Sequence, residues 1–454
     1  MPLFSFSSLL EKYRTFVYNG NNSAKETGKR YSNVVFQKGV TAIEKMAFFE
    51  CTGLTSITIP DGVTRIGAHA FQYCSNLKSV SIPASVTSIE DYAFQNCSSL
   101  TSITIPNNVT TIGEFAFSNC SNLLSIEIPN GVTIINRDLL KGCLNLKKIT
   151  IPSSIIKIEE EAFKGCTSLT SISIPEGVTS IGEYAFSNCA KLKMITVPNT
   201  ITTIGEYAFQ NCSDLTSIIL GSRLTRIEDC LFQNCSKLVS VTIPNSISSV
   251  GLGAFGNCDN LCYNKFDNAY YLGCGANPYV ALIKVERDTI TSCTVHPKTK
   301  VIASSAFNYC RHLVSVTIPN GVINIDDLAF AGCEGLSSIT IPNSVKRIGD
   351  YAFSGCTSLS SVILGEKIES IGAKAFSGYK KLRSILIQSN IKSIKQNAFE
   401  GCTDLTLVVF AKPYGWHITE SNEASNGTSI SVVNPQENAT HLVDTYTDFH
   451  WYRK

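Results

Sequence analysis

Residues 47–69 read AFFECTGLTSITIPDGVTRIGAH, and variants of this stretch fill most of the chain. The phenylalanine of the Ala-Phe pair returns every 23 residues, apart from one interval of 52 residues and a leucine at position 140. A proline keeps the same register in many units, as at Pro60, Pro83 and Pro106. Two markers locked to one spacing predict a structural repeat, with a sixteenth, irregular unit inside the long interval. The phenylalanine series is Phe48, Phe71, Phe94, Phe117, Phe163, Phe186, Phe209, Phe232, Phe255, Phe307, Phe330, Phe353, Phe376 and Phe399.

The order of residues within a unit predicts one short strand with a buried and an exposed face. In the run from Leu54 to Ile59, Ile57 and Ile59 point to one side, and Ser56 and Thr58 point to the other. The following proline cannot donate a ladder hydrogen bond and ends the strand. A single unit cannot bury its own apolar side chains, so stacked units must share one continuous core. The sequence therefore predicts a mainly β solenoid, a curved right-handed stack of coils with a parallel sheet on one face.

The motif AFxxCxxLxxIxIPxxVxxIG, present at residues 93–113 and 185–205, resembles the 23-residue repeat of the BspA-like leucine-rich-repeat proteins. The resemblance covers residues 33–411, and the irregular segment and the C-terminal tail also resemble pieces found in this family. It implies a single-domain leucine-rich-repeat solenoid of about 16 units. It further implies a surface or secreted protein of a host-associated microbe that engages other cells or host matrix proteins such as fibronectin or fibrinogen.

Three segments are expected from the limits of the repeat. Residues 1–32 are polar and lack the motif, which predicts a flexible lead-in. Residues 33–411 form the predicted solenoid, with the irregular unit at 262–303. Residues 412–454 are predicted to cap the solenoid, because a stack of coils otherwise ends in an exposed core face and strand edge. A binding role for this tail is the alternative.

Composition argues against strongly electrostatic partners. The chain has 454 residues, with 38 Lys and Arg against 36 Asp and Glu, so no global field attracts nucleic acid or an anionic membrane. Hydrophobic residues make up 44% of the chain and charged residues 16%, which predicts a folded protein. No apolar window is long enough for a membrane helix, and the opening MPLFSFSSLLEKYRTF predicts no secretion signal.

Fourteen of the 18 cysteines occupy one inward position of the repeat. Side chains at that position on adjacent coils are parallel and separated by about the 4.8 Å strand spacing, longer than the Cβ separation usual in a disulfide. Buried thiols are therefore predicted. The remaining four cysteines form no C-x-x-C or histidine pattern for zinc, so no metal site is expected; a local disulfide among Cys262, Cys274 and Cys293 is the alternative.

No catalytic constellation is visible in the sequence. The six histidines show no H-E-x-x-H spacing and no G-x-S-x-G partner, and the chain contains no P-loop or G-x-G-x-x-G motif. The run YLGCGANP in the irregular unit has glycines at turn spacing and is interpreted as a turn. We therefore predict a protein that is not an enzyme and that carries no cofactor.

The outward strand face is the strongest candidate site, because repetition lays rows of small polar side chains along it. Its partner-binding candidates are Thr104, Glu127, Thr150, Ser173 and Thr196. Tyr270 and Tyr271 of the irregular unit are added because tyrosine is enriched at binding hot spots. The alternatives are that Ser and Thr only solubilise the face and pair across strands, and that the tyrosine rings fill a gap in the stack.

Three functions follow from these features. The first is a non-enzymatic protein-binding scaffold at a microbial surface, presenting the strand face. The second is an intracellular interaction or assembly scaffold, favoured by abundant unpaired thiols and the missing export signal. The third is adsorption to ice or a crystalline polymer through the Ser/Thr rows, which Glu127, Lys148, Met194 and Ile219 interrupt.

Overall fold

The repeat predicts the fold correctly: the chain is a mainly β solenoid of about 16 turns with parallel strands. The computed structural model describes residues 15–24, 31–420 and 427–454. Contacts divide the chain into two compact units. Unit 1 contains Met1–Leu224, Cys230–Val241 and Phe255–Leu261, and unit 2 contains Thr225–Asp229, Thr242–Ala254 and Cys262–Lys454.

Most coils carry two short strands, one before the proline position and one after it. In the first half of the chain the strands are β1 (Thr15–Tyr18), β2 (Asn33–Phe36), β3 (Ala42–Ile43), β4 (Ser56–Thr58), β5 (Arg65–Ile66), β6 (Ser79–Ser81), β7 (Ser88–Ile89), β8 (Thr111–Ile112), β9 (Ser125–Glu127), β10 (Ile134–Ile135), β11 (Lys148–Thr150), β12 (Lys157–Ile158), β13 (Ser180–Ile181), β14 (Met194–Thr196), β15 (Thr203–Ile204) and β16 (Ser217–Ile219).

The second half continues this pattern, with an inserted three-stranded segment and a terminal helix. Its elements are β17 (Arg226–Ile227), β18 (Ser240–Thr242), β19 (Ser249–Val250), β20 (Asn264–Phe266), β21 (Ala269–Cys274), β22 (Asn277–Val285), β23 (Ser292–Thr294), β24 (Val301–Ile302), β25 (Ser315–Thr317), β26 (Asn324–Ile325), β27 (Ser338–Thr340), β28 (Arg347–Ile348), β29 (Ser361–Ile363), β30 (Ser370–Ile371), β31 (Ser384–Ile387), β32 (Ser393–Ile394), β33 (Leu407–Phe410), β34 (Trp416–Thr419), β35 (Thr428–Ser429), the helix α1 (Pro435–Thr440), a π-helical turn (His441–Thr445) and β36 (His450–Arg453).

The regular coil of unit 1 follows the predicted inside–outside pattern. In β4, Ile57 is buried between exposed Ser56 and Thr58, and β4 pairs with β6 in parallel, one coil further along. The second strand of each coil forms its own parallel ladder, β3-β5-β7-β8 and then β10-β12-β13-β15. Each coil therefore contributes one row to a sheet with a solvent-facing side and one row to a second, narrower sheet.

The Ala-Phe phenylalanines stack in register through the core. In unit 1, Phe163, Phe186 and Phe209 lie parallel, with ring centroids 5.1 Å and 5.4 Å apart. In unit 2, Phe330 and Phe353 stack at 5.0 Å. These rings are fully buried, so the phenylalanine series is core as its spacing predicts.

A second repeated feature lies in the turn between the phenylalanine and the cysteine. The residue before the cysteine has positive φ in nearly every coil and is often Asn or Gly, the types that tolerate this backbone best. In unit 1 the side-chain amide of Asn211 donates to Oδ1 of Asn188 at 3.0 Å, and that of Asn234 donates to Oδ1 of Asn211 at 2.8 Å. An Asn or a Gly directly before Cys is the sequence signal for this turn.

The cysteine ladder consists of buried thiols. In twelve of the fourteen, Sγ donates to the backbone carbonyl of the phenylalanine position in the preceding coil, as from Cys97 to Phe71 at 3.2 Å. Burial raises the pKa of the Cys189 thiol to about 12, which suppresses the reactive thiolate. Cys274 and Cys293 also remain thiols, so the alternative of a local disulfide in the irregular unit is not realised.

Tyr379 takes the cysteine position in one coil of unit 2. Its side chain is fully buried, and its hydroxyl donates to the Phe353 carbonyl at 2.8 Å, the same acceptor position that the thiols use. What this coil shares with the cysteine coils is therefore the hydrogen bond to the preceding coil rather than the sulfur.

The flexible lead-in predicted for residues 1–32 is wrong for residues 15–24. The strand β1 pairs in parallel with β2, and Phe16 and Tyr18 are buried against the first coil. The Tyr18 hydroxyl accepts from the backbone N–H of Glu44 at 2.8 Å. Aromatic burial thus orders this strand at the open end of the first coil, whereas residues 1–14 and 25–30 lie outside the described part of the chain.

The irregular unit is an antiparallel segment inserted into unit 2. The strands β20, β21 and β22 pair in that order, and β22 then pairs in parallel with β24, which returns the chain to the regular ladder. Of the YLGCGANP run, interpreted as a turn, only Gly275 and Ala276 form the turn, and its other residues belong to β21 and β22. At Gly273 an added Cβ would meet the backbone oxygen of Asn277, so glycine is required there.

Where this insertion interrupts the second parallel ladder, side chains take the place of a strand as hydrogen-bond partners of β19. The strand β19 ends a two-stranded sheet with β17. The backbone N–H of Val250 donates to the Asp326 carboxylate at 2.7 Å, the Ser249 hydroxyl donates to it at 3.1 Å, and the Asn324 side chain donates to the Ser248 carbonyl at 2.6 Å. Together with the backbone N–H of Ser304, which donates to the Val250 carbonyl at 3.0 Å, these side chains pair the polar groups of β19 that β17 does not reach.

This junction predicts a pH-dependent stability. Burial raises the pKa of Asp326 to about 7, against smaller opposing effects of the Val250 N–H and Arg347. Because the folded state holds the proton more tightly than the unfolded chain, the stabilising contribution is complete below about pH 4 and is lost as pH rises through about 7. Over that range we expect unfolding free energy to fall by up to about 1.4 kcal/mol per pH unit from this group.

Denaturant titrations near pH 5 and pH 8 check this expectation. The Asp326→Asn variant should lose much of the difference in unfolding free energy between the two conditions, because the amide does not titrate. Asp404→Asn, at an exposed position of the same unit, is the matched control and should retain the wild-type difference. An equal pH dependence in both variants contradicts the assignment to Asp326.

The C-terminal tail packs on the last coil of unit 2. The strand β36 pairs antiparallel with β32 and with β34, and the α1 residue Asn438 donates to the Val408 carbonyl at 3.0 Å. Trp416 and Trp451 are each 1% exposed and pack on Phe410. These contacts cover the final strand edge and core face, and we propose capping as the role of residues 412–454.

Candidate functional site

Five of the seven candidate residues lie together on the exposed strand face of unit 1. Thr104, Glu127 and Thr150 line one shallow groove of about 540 Å³, and Ser173 and Thr196 line a neighbouring groove of about 820 Å³. All five side chains are exposed. The period-2 alternation of each coil positions them, because a buried isoleucine fixes the strand on the core and its neighbours then face solvent.

The hydroxyl groups of this face have no partner within the described residues. Neither the side chains of Thr104, Thr150, Ser173 and Thr196 nor the serines of the adjacent row donate or accept an intramolecular hydrogen bond there. Threonines on another side of the coil behave differently: the Thr179 hydroxyl, for example, donates to the carbonyl of the preceding coil at 3.1 Å. Within the described strands, these hydroxyl groups therefore form no cross-strand pairs, which were one alternative explanation of the Ser/Thr rows.

The two tyrosines of the irregular unit have different surroundings. Tyr270 is half-buried, and its hydroxyl donates to Glu286 at 2.9 Å, while Glu286 also binds Lys265 at 2.6 Å. Tyr271 is fully buried, and its hydroxyl accepts from the backbone N–H of His296 at 3.1 Å. The expectation of a partner contact at Tyr271 is corrected: its ring fills the core beneath the inserted strands, and burial raises its pKa.

Part of the strand face in unit 2 is apolar. Ile363, Leu386 and Val409 continue the outward row and are 57%, 44% and 38% exposed. The C-terminal tail could have covered them, but the described residues of the tail leave these side chains open to solvent. A third groove on this face runs past Thr317, Thr340 and Ile363.

In the residues that the structure describes, no cluster of three or more His, Cys, Asp or Glu side chains could hold a metal ion. His296, at the position of the usual proline, stacks on Tyr279 with ring centroids 3.7 Å apart. Of the helices described, none is long and apolar enough to cross a membrane.

A stack of 23-residue coils with a buried Phe–Cys turn and an open strand face defines a leucine-rich-repeat scaffold. The family model of the BspA type leucine rich repeat region matches residues 22–147, 133–262 and 286–410, each match spanning six repeat copies. The chain therefore belongs to the BspA-type leucine-rich-repeat family, as its repeat motif suggests, a family of repeat scaffolds that are typically non-enzymatic.

A solved structure shows the same fold. A leucine-rich repeat protein from Bacteroides ovatus is 28% identical, with a TM-score of 0.51, and the match covers 83% of this chain and 88% of that one. A leucine rich cell surface protein from Faecalibacterium prausnitzii is 26% identical over 82% of this chain and 91% of that one, with a TM-score of 0.30. No curated protein matches the chain significantly.

Proposed function

We propose that this chain is a non-enzymatic protein-binding scaffold that presents the strand face of unit 1, with Thr104, Glu127, Thr150, Ser173 and Thr196 as contact residues. The observation that carries the proposal is the row of exposed hydroxyl groups that find no partner within the described chain. A hydroxyl group can donate and accept, so each of these side chains can exchange its bonds with water for bonds to a partner without breaking an intramolecular one.

The rigidity of the coil supports this proposal. The outward side chains stand on strands whose inward neighbours, such as Ile149 and Ile195, are buried in the core, and adjacent strands are in exact parallel register. The face is thus organised before a partner arrives, which lowers the entropy cost of association. Each hydrogen bond contributes only about 1 kcal/mol, so affinity requires many of them along one extended contact.

We further propose that the partner is a protein outside the producing cell. The BspA-type repeat implies a surface or secreted location and matrix proteins such as fibronectin or fibrinogen. Binding of purified fibronectin and fibrinogen to the full chain, measured by biolayer interferometry, tests this class of partner. If neither binds, matrix binding is ruled out as the function.

The contribution of the strand face is tested by neutral substitutions that fill the groove. The triple variant Thr150→Gln, Ser173→Gln and Thr196→Gln should keep the fold and weaken binding of a matrix protein by about tenfold or more, since it removes three hydroxyls and adds volume. The matched control replaces three exposed threonines on another side of the coils, Thr110, Thr179 and Thr202, with glutamine. Equal affinity for both triple variants removes the strand face from the proposal.

An intracellular interaction scaffold is the second candidate, and the cysteine ladder favours it. The chain retains buried thiols in its core, and proteins of oxidising compartments more often form disulfides. Fractionation of the producing cells separates the two candidates. Recovery in the medium or by surface proteolysis supports the first, and recovery in the cytosol alone supports the second.

A further inference from the structure

Four lysines gather at one edge of the strand face in the middle of unit 1. Lys147 and Lys148 precede and begin β11, and Lys191 and Lys193 lie just before β14. Lys147 and Lys193 hold the same position two coils apart, which at the strand spacing places them about 10 Å from each other. All four side chains are exposed. We refer to these four lysines as the basic edge.

The basic edge carries unneutralised charge. None of its four side chains forms an ion pair or hydrogen bond to the described residues, whereas several other basic residues of unit 1 are paired. Arg65 bonds to Glu44 at 2.8 Å, and Lys237 bonds to Asp214 at 2.6 Å. Unpaired ammonium groups that stand together repel one another, so an arriving anionic group relieves that repulsion as well as gaining attraction.

Nearby carboxylates do not cancel this charge. Glu127 lines one groove with Lys148 but forms no ion pair within the described residues. The hydrogen bond from Lys237 lowers the pKa of Asp214, with smaller contributions from Lys193 and Lys191. Asp214 is therefore already held by Lys237. Glu176 lines the groove at its proline end, beside Pro175, and lies away from the strand starts where the lysines stand.

An apolar side chain and free hydroxyls lie directly beside the basic edge. Met194 follows Lys193 and is 64% exposed, an unusual level for a methionine on an otherwise polar row. Thr170 and Ser171, on the coil between the lysine pairs, line the same groove as Met194, and their hydroxyls make no hydrogen bond within the described residues. The edge thus offers positive charge, hydroxyl groups and one apolar contact within three adjacent coils.

We propose that this edge of the strand face binds an extended, acidic segment of a protein partner, with an apolar side chain of that segment resting on Met194. The proposal rests on the proposed function and specifies the chemistry of its partner. In an extended segment, side chains at alternate positions face the same way. Two carboxylates four residues apart, about 13 Å, with an apolar residue midway between them, can therefore reach the two pairs of lysines and Met194 from one face.

The composition of the edge favours a peptide over a sulfated polysaccharide or a nucleic acid. All four basic residues are lysine, whose ammonium group binds carboxylate, phosphate and sulfate alike as a point charge, so the apolar side chain beside them decides the class of ligand. Met194 adds an apolar surface that a polysaccharide cannot use. A flexible, adaptable methionine is suited to an aliphatic or aromatic side chain.

The test uses the full chain and a fluorescent peptide of Glu-Ser-Leu-Ser repeats, in which Glu and Leu share one face of the extended chain. A lysine-for-glutamate peptide, heparin and single-stranded DNA are the competing probes. The double variant Lys148→Glu, Lys193→Glu should weaken the acidic peptide by about tenfold at low salt. Lys78→Glu is the matched control, because Lys78 is exposed and occupies the coil position of Lys193 outside the basic edge. It should change the affinity by less than about twofold.

Met194→Ser separates the classes of ligand. It should weaken the acidic peptide by several-fold and leave heparin and DNA unchanged, because only the peptide carries an apolar side chain. Tighter binding of heparin or DNA than of the peptide overturns the proposal, as does equal loss in the Lys78 control. Loss of matrix-protein binding in the groove-filling variant, with no effect of the lysine variants, would leave the scaffold function intact and reject only the acidic partner.

Discussion

Replacing Phe186 with alanine is expected to destabilise the protein by about 3–5 kcal/mol. The ring is fully buried between Phe163 and Phe209 in the parallel stack, and the neighbouring coils fix it on both sides. Rings held in register cannot collapse into the space, so the cavity remains and its cost is near the upper end of the range. Denaturant unfolding followed by tyrosine fluorescence and circular dichroism measures the loss.

Phe115→Ala is the control for this experiment. Phe115 is also stacked, on Tyr92 at 4.6 Å, but it is half-buried in a turn. We expect a markedly smaller loss of unfolding free energy there, because water already reaches part of the ring. A similar loss at both positions would falsify the view that the Ala-Phe series forms the core and the turn stack does not.

Replacing Trp451 with alanine is expected to cost about 3–5 kcal/mol and to open the C-terminal end first. The indole is 1% exposed, its N–H donates to the Tyr446 carbonyl at 3.1 Å, and its strand pairs with β32. Without the ring, the last core face loses its cover. Amide exchange should therefore accelerate in β32 and β33 well before it changes in unit 1.

Tyr414→Ala provides the comparison on the same tail. Its side chain is 79% exposed, so its removal should leave stability and exchange within experimental error of the wild type. Unchanged amide exchange in the last two coils of the Trp451 variant contradicts a capping role for the tail.

The regular coils were predictable from the sequence because every one of their constraints repeats. Phe, Cys and the strand isoleucines each mark a buried position. In a stack, each of these positions contacts the same position of the next coil. The repeat did not predict the strand β1. Its TFVY lies 18 residues before the corresponding NVVF of β2 and carries none of the repeat markers, so only its burial against the first coil identifies it.

The candidate site was predicted in part for the same reason. Exposure of Thr150 and Ser173 follows directly from strand alternation. The same rule shows that Tyr270 and Tyr271, adjacent in β21, must face opposite ways, so that both could not contact one partner. By contrast, the pairing of charges depends on side chains from different coils. Only the structure therefore shows that Lys237 forms an ion pair with Asp214 and that Lys193 forms none with the described residues.

The junction at β19 determines how the length of this protein can change during evolution. A regular coil presents the same backbone groups on both sides, so duplication or loss of a 23-residue unit rejoins the ladder without a mismatch. Asn324 and Asp326, however, reach across to Ser248 and Val250, and that pairing requires one specific separation. Recombination can therefore lengthen or shorten the regular stretches, while the order of coils around the insertion is inherited as a block.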